Sequence, residues 1–221
     1  GVELAATPVE VETGKLVLKY KGEEPEFVVV KGKEHLANSY FDLLQNGRAG
    51  VEVPIGEYEL SFGIVRKGKK AQTLKALMLP GDSMPSWKVE AGQTVTIELG
   101  SPFSFDFAYE VQDEVLTVKG KSVLIVGAGG EIYARPWNCV PQPEVSWRKA
   151  GSKRGSKGED MEVVLDIYER DEQGFNKWEM ADLFGPVDTT FELKLKEGER
   201  IEVQLVEKKN KLFKTIESDW K

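Results

Sequence analysis

Apolar and polar residues alternate with a period of two through most of the chain, the pattern of strands that bury one face and wet the other. Tyr58, Leu60, Phe62 and Ile64 alternate with Glu57, Glu59, Ser61 and Gly63. Val95, Ile97 and Leu99 do the same with Thr94, Thr96 and Glu98. The longest run takes in Phe103, Phe105, Phe107, Tyr109 and Val111 and reads as one long strand. Further strands are predicted at residues 9–20, 27–30, 73–79, 122–126, 161–168, 191–195, 201–206 and 212–216. Helical periodicity is almost absent. Residues 34–44, before Asn46-Gly47, and 177–183, before Gly185-Pro186, are the two segments that could wind into a turn or two of helix. Many short strands joined by Gly and Pro turns, with no helical crossovers to build a parallel sheet, predict an all-β sandwich or barrel.

A weak internal repeat divides the 221 residues. Val11-Glu12-Thr13-Gly14-Lys15 resembles Thr117-Val118-Lys119-Gly120-Lys121, and Glu90-Ala91-Gly92-Gln93 resembles Lys196-Glu197-Gly198-Glu199 at the same offset of 106 residues. Two matches at one offset suggest duplication of a unit. The expectation is therefore two tandem antiparallel β-sandwich domains, residues 1–101 and 102–221, meeting near Gly100-Ser101-Pro102. Each would bury roughly 65% of its unfolded surface, enough for a core without disulfides or metals.

Within the first unit, Val53-Pro54-Ile55-Gly56-Glu57-Tyr58-Glu59-Leu60 places a Pro-x-Gly turn before a Tyr-x-Leu strand. This resembles a hairpin of carboxypeptidase-regulatory-like and transthyretin-like sandwich modules, over about 15 residues. The Gly-rich segment that opens those modules has no counterpart here. The resemblance implies a transthyretin-like fold for residues 1–101 and an accessory, structural or interaction role. Residues 102–221 look immunoglobulin-like, without the paired cysteines of antibody domains.

Charge narrows the partners. With 30 Lys and Arg against 37 Asp and Glu the chain carries −7, which argues against nucleic acid as a partner and against electrostatic attachment to anionic lipid. No run approaches about 18 consecutive apolar residues, so no membrane span is expected. Cys139 is the single cysteine and permits no internal disulfide. The chain opens on Gly1, as a processed or trimmed protein does, and a periplasmic or secreted location is expected.

The segment Ser122-Val123-Leu124-Ile125-Val126-Gly127-Ala128-Gly129-Gly130 imitates the strand and glycine turn of a dinucleotide-binding fold. That fingerprint needs a third glycine three residues after the second and a helix to receive the pyrophosphate. Position 132 is Ile132, the following residues are strand-like, and Pro136, Pro141 and Pro143 forbid a useful helix. A glycine-rich hairpin is expected, and no cofactor. His35 and Cys139 are the only histidine and cysteine, too few for a structural zinc site and assigned to different units. An acidic loop with Gly174 at its sixth position would put Glu169 first, Gln173 fifth and Met180 twelfth, so the calcium register fails.

Aromatic binding is the functional idea the sequence favours, since exposed flat rings stack on sugars or anchor proteins. Trp137 and Trp147 flank a proline-rich segment, and Trp178 precedes Leu183-Phe184-Gly185-Pro186. These three are the candidate ligand-binding residues; burial in the core is the rival account, and Trp87 and Trp220 have less context. Basic stretches at 66–70, 148–157 and 208–211 read as solvated turns. The expected function is a non-catalytic binding or structural module for a protein or polysaccharide partner. A carbohydrate-binding protein is the alternative, and a hydrolase with a carboxylate pair ranks third.

Overall fold

The computed structural model describes residues 11–156, 158–161, 169–170, 176–177 and 190–221. The strand expected at 161–168 and the helical turn at 177–183 fall almost wholly outside them. The first strands are β1 (Thr13–Lys21), β2 (Pro25–Gly32), β3 (Tyr40–Asp42), β4 (Val51–Pro54), β5 (Gly56–Lys67), β6 (Leu74–Leu79), β7 (Trp87–Val89) and β8 (Thr94–Gly100). Then come β9 (Ser104–Asp106), β10 (Tyr109–Gln112), β11 (Val115–Lys119), β12 (Leu124–Val126), β13 (Ile132–Trp137) and β14 (Glu144–Lys149). The last are β15 (Glu159–Asp160), β16 (Glu169–Arg170), β17 (Asn176–Lys177), β18 (Thr190–Lys194), β19 (Ile201–Asn210) and β20 (Lys214–Glu217). The helical content of the described residues is four single turns of 3-10 helix. One of them, Glu34–Leu36, replaces the helix expected at 34–44, and Tyr40, Phe41 and Asp42 pair instead with β2. Phe41 faces inward there, edge-on to Tyr58 at 5.8 Å.

An all-β fold with several antiparallel sheets is the result. The largest sheet runs β3-β2-β5-β6-β13-β12-β9, with β7 added to β5, and a three-stranded sheet β4-β1-β8 supplies the other layer. Leu16, Val53, Ile97 and Leu99 from the small sheet and Val28, Val30, Tyr58, Leu60 and Met78 from the large one are fully buried in one core. A second pair of layers, β10-β11-β18 and β15-β14-β19-β20, buries Leu116, Val118, Val145, Val203 and Leu205.

Three features of the sheets go beyond what alternation registers. The division expected at residue 101 is not a break in the hydrogen bonding: β13 pairs with β6 through Ile132 opposite Leu79 and Tyr133 opposite Met78, so the large sheet takes strands from both sides of that point. Its far edge, β9, touches the second layer pair through a bridge between Phe103 and Ile216. There Phe103, Tyr133 and Phe213 form a triangle of edge-on rings with centroids 5.0 to 5.3 Å apart.

The long aromatic run also divides. Phe103, Phe105 and Phe107 are buried around β9, whereas Tyr109 and Val111 belong to β10 in another sheet, where Val111 is exposed. The chain crosses between sheets at Phe107-Ala108, a bend that alternation cannot register. Finally, the sheets are not all antiparallel. β1 and β8 run parallel from Lys15 opposite Thr94 to Lys21 opposite Gly100, joined by a connection that builds most of the facing layer.

Candidate functional site

Residues 127–130 connect β12 to β13, and what they cradle is a side chain of the protein. Glu131 has no exposure to solvent. Its carboxylate accepts hydrogen bonds from Gly100 N at 2.6 Å, Gly129 N at 3.0 Å and the Tyr133 hydroxyl at 2.8 Å. A side chain at Gly127 would collide with that carboxylate, and a Cβ on Gly129 would come within 2.5 Å of the Glu98 carbonyl. The glycines are there so that backbone can close on an anion, which is the physics of a phosphate loop turned inward. Burial raises the Glu131 carboxyl above its ordinary range, against the three donors that favour its charged form. Tyr133 hands the network on to the Tyr20 hydroxyl at 3.0 Å.

At the last residue of β13 the surface opens. Trp137 is 51% exposed, on a segment gripped from both sides. The β13–β6 register shifts between Ala134 and Trp137, and Arg135 and Asn138 adopt left-handed backbone angles (φ 48° and 57°), a conformation that Asn tolerates and Arg seldom adopts. The segment after Trp137 is tied down by hydrogen bonds. Asn138 Nδ2 donates to the Ala71 and Thr73 carbonyls at 3.1 and 2.9 Å. The Cys139 thiol donates to the Lys75 carbonyl at 3.3 Å, and the Cys139 carbonyl accepts from Asn210 Nδ2 at 3.0 Å.

Asn210 is the keystone of the opposite wall. It is buried at 3% exposure, and its Nδ2 also donates to Glu207 Oε1 at 3.1 Å. Its Oδ1 accepts from Leu212 N at 3.0 Å and Phe213 N at 3.1 Å, so all four of its hydrogen-bonding positions are filled. Glu207 accepts from Gln142 N at 3.1 Å, and burial raises its carboxyl above the usual range. The result is a groove of about 510 Å³ lined by Pro136, Trp137, Gln142, Glu207, Lys209 and Lys211, among others.

Trp137 and Trp147 line different grooves. Trp147 shares the inward parity of Val145 on β14, lies half-buried against Phe191 with centroids 5.6 Å apart, and lines a separate cavity of about 270 Å³. That cavity and the Trp137 groove have no lining residue in common. Trp178 lies outside the described residues. Trp220, half-buried, carries the Arg148 guanidinium 4.3 Å above its ring, and Trp87 is half-buried on β7. Sequence reasoning missed β14 although Val145, Ser146 and Trp147 already alternate. It also missed Glu131 and Asn210, whose polar side chains look solvated in a linear reading.

Burial pushes the Cys139 thiol up to about 11, and its bond to a carbonyl holds it as a donor, the opposite of an activated nucleophile. His35 sits on the Glu34–Leu36 turn and does not line the Cys139 groove. Among the described residues no three His, Cys, Asp or Glu side chains are grouped to hold a metal, and no helix is long and apolar enough to cross a membrane. Compared with protein-family models, with curated proteins and with solved structures, the chain has no match.

Proposed function

We propose that this chain is a non-catalytic β-sandwich binding module, working outside the cytoplasm, and that the groove at Trp137 is its contact surface. The observation that carries this reading is an indole left half in water on backbone that Asn138, Cys139 and Asn210 hold rigid. An exposed aromatic anchor on a fixed segment loses little conformational freedom on binding, the condition under which one ring contributes most. The polar groups around it support recognition over reaction. Asn210, Glu207 and Cys139 are each committed to bonds within the protein, which leaves the ring face and the Lys209 and Lys211 head groups for a partner.

A polysaccharide is the second reading, favoured by the flat ring beside Gln142 in an open groove. Titrating tryptophan fluorescence with soluble neutral and acidic polysaccharides tests it. A saturable change that Trp137→Ala abolishes assigns the groove to sugars; no change across the panel removes the polysaccharide and leaves a protein partner.

A further inference from the structure

We propose that a second copy of this chain covers the outer face of the large sheet, over β2, β5 and β6. Strands with one wet face alternate, as β8 does with Thr94, Thr96 and Glu98. Two strands of the large sheet break that rule: β2 contains Phe27-Val28-Val29-Val30, and β6 reads Leu74-Lys75-Ala76-Leu77-Met78-Leu79. Near-continuous apolar runs belong to strands covered on both faces. The inner face is fully covered through Val28, Val30, Ala76 and Met78. On the outer face Phe27, Val29, Ile64, Leu77 and Leu79 are only half-buried, and Phe62 is 39% exposed. Register makes them one patch, with Phe27 opposite Ile64, Val29 opposite Phe62 and Ile64 opposite Leu77.

Charge names the occupant. At one end of the patch Glu26 and Arg66 pair across β2 and β5 at 3.2 Å; at the other Lys31 and Glu59 pair at 3.0 Å. Read in one direction across the sheet, β2 therefore passes from negative to positive and antiparallel β5 beside it from positive to negative. Four corners of alternating sign around an apolar centre form a pattern complementary to its own copy. Laid face to face about a two-fold axis parallel to the strands, the second copy sets its Arg66 over Glu26 and its Glu59 over Lys31, with β5 apolar residues over those of β2. An anionic membrane would call for corners of one sign.

Sedimentation velocity on the full chain, from about 1 to about 100 µM, tests this together with two variants. The wild type is expected to dimerise in that range, and Arg66→Glu to weaken the dimer at least about tenfold with its circular dichroism unchanged, because it sets like charges face to face. The fourfold variant Glu26→Arg, Lys31→Glu, Glu59→Lys, Arg66→Glu reverses every corner. It should dimerise with itself and fail to exchange with labelled wild type. A wild type monomeric at the top concentration, an Arg66→Glu dimer of unchanged strength, or free exchange between the wild type and the fourfold variant overturns the proposal.

Discussion

Glu131 is a carboxyl kept from water by glycines, and its energetics are readable in pH. Because the fold holds its pKa above the ordinary value, the unfolded chain releases this proton first as pH rises. Between those two points the folded form carries the extra proton, so stability falls with rising pH across that window. Glu131→Gln removes the slope: urea unfolding from about pH 4 to about pH 8 should show the wild type losing ground steadily relative to the variant. Gly127→Ala should cost about 2–3 kcal/mol by driving the carboxylate off its donors, measured in the same denaturation series. At Asn210, replacement by Ala leaves the Leu212 and Phe213 amides and the Cys139 carbonyl short of partners inside the protein, with a loss of about 2–4 kcal/mol expected in thermal or urea unfolding. The glycine turn was legible in sequence; its cargo was not, because no linear pattern says that a Glu next to three glycines points inward.

Single elements decide what each tryptophan does. Trp147 follows Val145 on the inner side of β14 and packs on Phe191, so Trp147→Ala should cost about 2–3 kcal/mol. Trp137 stands beyond the bulge on β13, and Trp137→Ala should cost under about 1 kcal/mol in the same unfolding assay. A large loss for Trp137 would make the indole structural and remove the binding surface. The two matches at offset 106 differ in local structure. The later one shares its turn: the Glu90 amide donates to Gln93 Oε1 and the Lys196 amide to Glu199 Oε2, with Gly92 and Gly198 at φ 68° and 70° in matching turns. The earlier one does not, since Gly14 lies inside β1 and Gly120 opens a 3-10 turn. Four-residue turn chemistry is local and survives transfer; strand placement depends on what lies across the sheet.

Taken whole, the molecule hides its seam. Alternation foretold β5, β8 and β19, but pairing across residue 101 was invisible because nothing along the chain marks β13 as the neighbour of β6. Residues 1–101 alone would lose β13, β12 and β9 from the large sheet and the Glu131 contact that tethers Gly100. That fragment should show no sharp thermal transition by circular dichroism; a cooperative one would mean that the first half folds unaided. The parallel ladder between β1 and β8 has a further consequence, for synthesis. Lys19 and Glu98 stand 79 positions apart, so at about 5–20 residues per second a ribosome needs roughly 4–16 s to make the partner that β1 awaits. Through that interval the edge of Leu16-Val17-Leu18 that β8 will cover lies open in a crowded cell, guarded by Lys15, Lys19 and Lys21, whose charges discourage the wrong strand from docking before the right one has been made.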